Sequence, residues 1–241
     1  MRNLIFLLIL LIPVSSYAGA SRVRTGATTS AISLGDVNNV GTGDFSVGTW
    51  VKTNEDAALD VFVSKIRTTT FATGYYISQT AGDSLTSFVG DGTNTRQCGP
   101  MGGSDYDGQW IFYVMTFAGS TDALNLYINL NKPTLFCAVI GGAIGSPNTT
   151  FRFKVGNSNG SEATNGNMAY SFFYAQVLTD WELAELMYKP ASIARDRWGA
   201  WNLYYDGSTE PDLGQTSNTG SVAGFVSSSD GPPAMIGVGP L

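Results

Sequence analysis

The sequence contains no histidine. A Ser-His-Asp triad, a Cys-His dyad and a histidine-liganded zinc or iron site all need imidazole, so this absence excludes most familiar hydrolase chemistries. Glycoside hydrolysis needs only two carboxyl groups at a suitable separation and is not excluded in this way. Glutamate is also scarce, however, and none of the residues lies mid-strand two or four positions from a second acid. The five are Glu55, Glu162, Glu182, Glu185 and Glu210. We therefore expect no enzyme activity.

Charge is a second shortage. Charged residues make up 13% of the 241-residue chain, against roughly 25% in an average domain. The formal net charge of -6 argues against a nucleic-acid partner, which would require a basic surface. The chain is instead rich in glycine, with 29 residues, and 12% of it is aromatic. This composition is typical of many short strands joined by tight turns, and the length suits one large all-β domain or two small ones.

Long hydrophobic runs are confined to the amino terminus. The run at 4–12 is too short to span a membrane, which takes about 20 apolar residues. It follows Arg2 and precedes small residues at 16–20, the pattern of a secretory signal peptide over residues 1–20. Cleavage after Ala18 and cleavage after Ala20 fit equally well. We expect a secreted protein, or one on the surface of a cell or virion, with no membrane span once the signal is removed.

Cysteine is nearly absent, since only Cys98 and Cys137 are present. Export to an oxidising compartment favours pairing of two cysteines in an otherwise thiol-free chain. We therefore predict one disulfide between them. The alternative is two buried thiols that behave as small apolar side chains.

From residue 31 onward, apolar and polar residues alternate over short runs, and this period of two predicts β-strands. In the run at 110–117 both alternating faces are apolar, which predicts a central strand covered on two sides. Leu124, Leu126, Ile128 and Leu130 are predicted to share one buried face. The predicted strands cover 31–34, 45–53, 61–66, 74–78, 85–89, 110–117, 124–130, 151–155 and 168–177.

The longest strand signal, at 168–177, is followed by a helix signal. Strict alternation along this strand predicts Met168 and Tyr170 on one face and Ser171 on the other. Thr179 and Glu182 then have the spacing of a capping box. We predict one short helix over about 180–188, lying on the edge of a sandwich formed by the strands.

Several of these segments carry motifs that occur together in one domain family. The motifs lie at 45–52, 63–65, 74–77, 107–110, 124–128 and 166–187. In this order they resemble the strand signatures of laminin G-like domains, and the last resembles that family's final strand and short helix. The resemblance covers residues 27–188. It implies an all-β, two-sheet antiparallel jelly-roll sandwich of the concanavalin A-like type, with ligand sites in rim loops or on a concave face.

The segment after the helix also resembles part of this family. The motifs at 198–203, 206–207, 211–213 and 218–221 are similar to the segment that usually opens such domains. Two readings stay open: the segment adds strands to the same sandwich, or it forms a separate extension on the surface. We expect a signal at 1–20, a laminin G-like sandwich at 21–190 and a C-terminal extension at 191–241 that adds strands to it.

Two departures from the family's patterns bear on function. Many relatives carry Tyr-Val-Asp-Gly in the strand that follows the segment corresponding to Asp-Gly-Gln-Trp at 107–110. This chain carries Tyr-Ile-Asn-Leu at 127–130 instead. The missing carboxylate argues against a family-type calcium role there. The Glu-x-Asp-x-x-Glu arrangement of jelly-roll glucanases is absent as well.

Two loops offer oxygen ligands. Asp105 and Asp107 flank Tyr106 in one turn and are candidate calcium ligands, while Asp91 and Asn94 supply further oxygens. Aspartate and asparagine before glycine are also ordinary turn formers, and neither loop has a complete calcium-binding spacing. Apart from calcium, we expect no cofactor.

Aromatic residues are the candidates for sugar contacts. Tyr75 and Tyr76 are strand neighbours, so one of them faces away from the core. We expect Tyr106 to be an isolated exposed ring. Asn148 and Asn159 stand in glycosylation sequons, which matter only in a eukaryotic host.

These patterns favour a secreted, non-catalytic module that binds carbohydrate or a glycosylated protein. The alternative is a structural or adhesive protein of a virion or cell surface that self-associates and binds no sugar. A two-carboxylate glycoside hydrolase is the third possibility.

Overall fold

The computed structural model describes residues 21–24, 31–54, 59–66, 73–80, 84–100, 106–158, 164–188, 199–201, 203, 208–210, 212, 219–228 and 230–232. In these residues the chain forms two antiparallel sheets and one helix, the predicted sandwich. No helix in the described ranges has the length and apolar character to cross a membrane.

One sheet has seven strands. They are β1 (Ser21–Arg24), β3 (Phe45–Thr53), β8 (Ile111–Ala118), β9 (Ala123–Ile128), β12 (Gly166–Tyr174), β13 (Gly199–Trp201) and β16 (Phe225–Ser228). Their order is β16-β1-β12-β3-β8-β9, and β13 also pairs with β12. The strand predicted to be central, β8, lies between β3 and β9 and is buried on both faces, as expected.

The other sheet has nine strands. They are β2 (Ala31–Ser33), β4 (Asp60–Lys65), β5 (Thr73–Gln79), β6 (Leu85–Asp91), β7 (Thr95–Pro100), β10 (Leu135–Ile140), β11 (Lys154–Val155), β14 (Thr209–Glu210) and β15 (Gly220–Ala223). Their order is β10-β7-β6-β5-β4-β11-β2-β15-β14. The outermost described strand at one end is therefore β10.

Each predicted run contains a strand, but several strands are shorter than the predicted runs, β11 and β9 among them. The run at 151–155 forms a strand only at its last two residues. β9 stops at Ile128 because Asn129 and Leu130 have positive φ angles of 50° and 67°. Leu130 consequently leaves the predicted face and packs on the outside of the seven-stranded sheet.

A β-bulge corrects the predicted faces of β12. The register against β3 shifts between Met168 and Ser171, and an extra residue on one strand reverses the side-chain alternation. Met168 therefore packs in the core between the sheets with Phe173. Tyr170, which was predicted to share a face with Met168, points to the outer face instead.

The core between the sheets is rich in aromatic rings. Phe45 lies 4.8 Å from Tyr75 and 6.0 Å from Phe173, measured between ring centroids. A second apolar cluster lies on the outer face of the seven-stranded sheet, where α1 (Asp180–Tyr188) covers Phe172 and its neighbours with Leu183 and Leu186. The helix thus packs on a face of the sandwich and not on its edge, which corrects the predicted position.

The predicted capping box begins this helix. The Glu182 amide donates to Thr179 Oγ1 at 3.3 Å, and the Thr179 amide donates to Glu182 Oε2 at 2.9 Å. Two amides without a helical partner are satisfied in this way. Glu182 is thus engaged in capping.

Strands from the C-terminal segment pair with both sheets. β13 pairs with β12 and β16 pairs with β1, while β15 pairs with β2 in the other sheet. Trp201 and Phe225 enter the core between the sheets, and the Trp201 ring lies 5.7 Å from that of Phe153.

The predicted disulfide is confirmed. Cys98 in β7 and Cys137 in β10 are directly opposite each other and covalently linked. The bond joins the outermost described strand to its neighbour.

Candidate functional site

The acidic turn proposed as a calcium or sugar site makes contacts within the protein. Asp107 Oδ1 accepts hydrogen bonds from Thr53 Oγ1 at 2.8 Å and from Gln79 Nε2 at 3.0 Å. Tyr106 is half-buried and packs against the core, so the expectation of an isolated exposed ring is wrong. Asp105 lies outside the described residues. Asp107 therefore ties this turn to the ends of β3 and β5.

The second predicted loop is likewise occupied by internal hydrogen bonds. Asp91 accepts from the backbone amides of Asn94 and Gly145, each at 2.6 Å. Asn94 Oδ1 accepts from the Gly142 amide at 2.7 Å. Asp91 and Asn94 thus hold the loop at 141–145 against the turn that follows β6.

The charge state of Asp91 agrees with this role. Partial burial alone would raise its pKa, but hydrogen bonds from Asn94, Gly145 and Thr93 lower the pKa far below its ordinary value of 3.8. The carboxylate is therefore ionised and committed to backbone amides. Across the part of the chain that the structure describes, no group of three acidic or cysteine side chains could hold a metal ion.

The paired tyrosines face opposite ways, as predicted. Tyr75 is fully buried between the sheets, and its hydroxyl donates to the Asn38 carbonyl at 3.0 Å. Tyr75 cannot reach a ligand, which corrects its place among the candidates. Tyr76 points to the outer face of the nine-stranded sheet and stacks on Phe88, with centroids 5.1 Å apart and planes at 4°.

Of the two sequons, one can be located. Asn148 is exposed, and its Oδ1 atom accepts a hydrogen bond from the Gly41 amide at 2.8 Å. Asn159 lies outside the described residues.

The large exposed apolar side chains of the described residues lie elsewhere, in two patches. One patch is on β10, where Phe136 is 69% exposed, Val139 56% and Ile140 46%. The other is on α1, where Trp181 and Tyr188 are exposed. None of these residues was among the candidates from the sequence.

Beside Phe136 there is a cavity of about 250 Å³. Cross-strand pairing puts Thr86, Gly99 and Phe136 in one row on the outer face of the nine-stranded sheet. Gly99 has no side chain between the threonine and the phenyl ring, and a Cβ atom there would come 2.6 Å from the Leu85 carbonyl oxygen. We call this depression the edge groove; it is lined by Ser84, Thr86, Gln97, Cys98, Gly99, Pro100, Phe136 and Ala138.

The edge groove combines one apolar wall with uncharged polar groups. Phe136 offers a ring face, Gln97 an amide that both donates and accepts, and Ser84 and Thr86 hydroxyl groups. The lining contains no carboxyl group, so it lacks the acid pair that glycoside hydrolysis requires. Such a surface is suited to holding a neutral molecule with an apolar face and hydroxyl groups. Tyr76 and Phe88 extend the same sheet face in the neighbouring row.

Comparison with known proteins identifies the family. The sequence profile of the Concanavalin A-like lectin/glucanases superfamily matches residues 25–184. The chain belongs to this superfamily. The match agrees with the laminin G-like resemblance and the jelly-roll sandwich. No curated protein matches the chain.

Solved structures share the superfamily fold at low identity. A "putative carbohydrate binding protein" of Bacteroides ovatus has a TM-score of 0.66 and 14% identity over 91% of this chain and 62% of its own. The binding domain of Paraclostridial Mosquitocidal Protein 1 has a TM-score of 0.51 and 17% identity over 73% of this chain and 45% of its own. The chain thus spans less than two thirds of either protein, and the likeness shows the fold alone.

The position of β10 in the assembled sandwich explains why the sequence alone did not predict the edge groove. The run at 135–140 is apolar throughout, a composition that also suits a buried central strand. Exposure follows from the position of β10 at the end of the sheet, which depends on pairing between distant segments. The only local signal is Cys137, whose disulfide partner identifies β7 as the neighbour of β10.

Proposed function

We propose that the protein is an extracellular, non-catalytic recognition module that binds carbohydrate in the edge groove. The observation that carries this proposal is Phe136, a ring that is 69% exposed beside a neutral cavity. Ile140, which is 46% exposed, lies on the same face of β10 as Phe136, whereas Val139 lies on the opposite face.

The chemistry of the groove fits a sugar. The apolar C–H face of a pyranose packs on an aromatic ring, and its hydroxyl groups need both donors and acceptors at the edge of that ring. Phe136 supplies the ring, and Gln97 and Thr86 supply the polar groups from the two neighbouring strands. Gln97 is exposed, so its amide is accessible to a ligand.

The fold adds support from a distant relative. The Bacteroides ovatus protein, which shares the architecture, carries the description of a carbohydrate binding protein. At 14% identity no residue role can be transferred, so the proposal rests on the residues that line the groove.

The proposal includes a class of ligand. The groove lining is uncharged, and the chain as a whole carries a formal charge of -6, so an anionic sugar would be repelled. We expect neutral glycans to bind and sialylated or sulfated glycans to bind more weakly. A glycan array probed with the purified protein tests this expectation. Signal on neutral glycans supports the proposal, and silence on all glycans contradicts it.

Location outside the cell belongs to the same proposal. The Cys98–Cys137 disulfide is typical of oxidising compartments. The segment at 1–20 has the pattern of a signal peptide and lies outside the described residues. Sequencing the amino terminus of the exported protein tests the proposed cleavage after Ala18 or Ala20.

A structural or adhesive role at a cell or virion surface is the second candidate. The exposed apolar strand β10 favours it, because such a strand can pair with another chain. A silent glycan array together with oligomers that depend on concentration would support this role over sugar binding.

A further inference from the structure

The outer surface of α1 carries two aromatic rings that do not take part in packing. Trp181 is 68% exposed and Tyr188 is 44% exposed. In the part of the chain that the structure describes, neither side chain makes a hydrogen bond or a ring contact. The opposite side of the helix is buried through Leu183, Leu186 and Met187. Exposed tryptophan and tyrosine are enriched at protein interfaces, so this surface is a candidate for one.

Helix geometry brings the two rings to one face. Seven residues make nearly two turns, so Trp181 and Tyr188 lie about 20° apart around the helix axis and about 10.5 Å apart along it. Ala184 and Glu185 stand between them, each three or four residues from either ring. Ala184 is too short to fill the space between the rings, and Glu185 borders that space with a carboxylate. We call these four residues the helix site.

The charge around the helix site is negative. α1 contains Asp180, Glu182 and Glu185 and no basic residue. Glu182 is engaged in the capping box. Glu185 makes no hydrogen bond or ion pair among the described residues. The net charge of -6 adds a field of the same sign, so the Glu185 carboxylate is free to pair with a cation from outside the chain.

We infer that the helix site binds an arginine side chain of a basic partner protein. The guanidinium group would lie between the rings of Trp181 and Tyr188, beside the Glu185 carboxylate. A cation and an aromatic ring attract each other when they are within about 6 Å. A group midway between two rings about 10.5 Å apart is within this distance of both.

The chemistry of the site favours arginine over lysine. A guanidinium group is planar and stacks on an aromatic face, and it can donate two parallel hydrogen bonds to one carboxylate. It is also more weakly hydrated than an ammonium group, so less hydration is lost when a ring covers it. Trp181 and Tyr188 supply two ring faces, and Glu185 supplies the carboxylate.

The shape of the site favours a protein partner over a small free cation. Pockets for small ligands enclose most of the ligand surface. The helix site is instead on the convex surface of α1, where most of Trp181 is in water. An arginine that projects from a protein gains further contacts along the helix, which a free cation lacks. An anionic membrane is disfavoured because the three acidic residues of α1 would repel it.

The helix site and the edge groove lie on opposite sides of the molecule. α1 covers the outer face of the seven-stranded sheet, and the groove is on the outer face of the nine-stranded sheet. The inference about the helix site therefore does not rest on the proposed function. If both sites are used, one molecule can hold a glycan on one side and a basic protein on the other.

Calorimetric titration of the full chain with three peptides tests the inference. One peptide is rich in arginine, the second has lysine at the same positions, and the third has citrulline, a neutral group of nearly the same shape as arginine. The arginine peptide should bind, and its affinity should fall as salt screens the charges. The lysine peptide should bind more weakly because an ammonium group neither stacks nor pairs with two oxygens in one plane. The citrulline peptide should not bind.

Three single variants locate the binding. Trp181→Ala, Tyr188→Ala and Glu185→Gln should each weaken binding of the arginine peptide about two- to fivefold, the loss expected for one exposed cation–ring contact or ion pair. Val139→Ala is the control, because it removes an exposed apolar side chain from the other sheet and should bind like the wild type. Circular dichroism checks that each variant keeps the fold.

Three results would overturn the inference. The first is no binding of the arginine peptide at low salt. The second is equal binding of the arginine and citrulline peptides. The third is wild-type affinity in all three helix variants, which would mean that the net charge alone attracts the peptide.

Two further measurements separate this inference from other accounts. Binding to phosphatidylcholine vesicles that is lost in Trp181→Ala, without peptide binding, would assign the helix site to a membrane and contradict the inference. The glycan array keeps the proposed function apart. A protein that binds neutral glycans but no arginine peptide contradicts only the inference about the helix site. A protein that binds the peptide but no glycan contradicts only the proposed function.

Discussion

Asp91 illustrates at the scale of one residue why an oxygen-rich loop need not be a ligand site. Its two carboxylate oxygens accept four hydrogen bonds, from the amides of Thr93, Asn94 and Gly145 and from the Asn94 side chain. A calcium ion would have to displace these donors. These hydrogen bonds agree with the interpretation of this loop as a turn, because both carboxylate oxygens of Asp91 accept from groups within the protein.

The lowered pKa of Asp91 predicts how stability depends on pH. The folded-state pKa lies below the ordinary value of 3.8, so the unfolded chain binds the proton more readily. The stabilisation from this carboxylate is complete above pH 3.8 and is lost as the pH falls below it towards the folded-state pKa. Asp91→Asn should lower the free energy of unfolding at neutral pH by about 1–3 kcal/mol, because the amide groups that donate to this side chain lose a charged acceptor.

Urea unfolding of wild type and Asp91→Asn at a series of pH values measures this effect. The difference between the two proteins should shrink as the solution becomes more acidic than pH 3.8. A difference that stays constant with pH would mean that the carboxylate charge is not what holds the loop.

At the scale of elements, the contact between β3 and β12 depends on a position in β3 that has no side chain. Gly48 lies on β3 opposite Phe172 of β12, and a Cβ atom at this position would come 2.7 Å from the phenyl ring and 2.8 Å from Val114. Both neighbours are buried beneath α1. The glycine therefore makes room for the aromatic layer that the helix covers.

Gly48→Ala should overpack this layer and lower the free energy of unfolding by about 1–3 kcal/mol. Gly142→Ala is the matched control, because its added Cβ would meet only one atom, at 3.9 Å. Thermal or urea unfolding of both variants measures the difference. Equal stability of the two alanine variants would contradict the packing account.

Local patterns predicted most of the elements and little of the site. The period of two predicted every run that forms a strand between β2 and β12 except β7 and β10, and Thr179 with Glu182 predicted α1. The local patterns did not predict the bulge at Met168 or the turn at Asn129, because both arise from pairing with neighbouring strands. The exposure of Phe136 was not predicted for the same physical reason, since its strand becomes an edge only in the assembled sheet.

At the scale of the whole molecule, the C-terminal segment contributes to the sandwich. Trp201 and Phe225 fill the core, and Asp230 accepts hydrogen bonds from Lys52 at 2.8 Å and Trp110 at 3.1 Å. We propose that residues 21–190 and 191–241 form one folding unit, although the family profile covers only 25–184.

A chain truncated at Pro190 tests this proposal. Removing one buried aromatic side chain typically costs 3–5 kcal/mol, and this truncation removes two together with four strands. The loss is comparable with the whole stability of a typical domain, roughly 5–15 kcal/mol, so we expect an unfolded or molten product by circular dichroism. A control that ends at Pro232 keeps every described strand and should unfold like the wild type. A stable, cooperatively folded chain ending at Pro190 would show the segment to be dispensable.

The central claim is that the edge groove binds neutral carbohydrate through Phe136. Isothermal titration calorimetry with the strongest ligand from the array tests it most directly, using wild type, Phe136→Ala and Trp181→Ala. Trp181 is the matched control because it is 68% exposed and lies on α1, outside the groove. We predict that Phe136→Ala weakens binding at least about tenfold, or 1.4 kcal/mol, and that Trp181→Ala leaves the affinity unchanged. Unaltered binding by Phe136→Ala, with loss of binding in Trp181→Ala, would contradict the account.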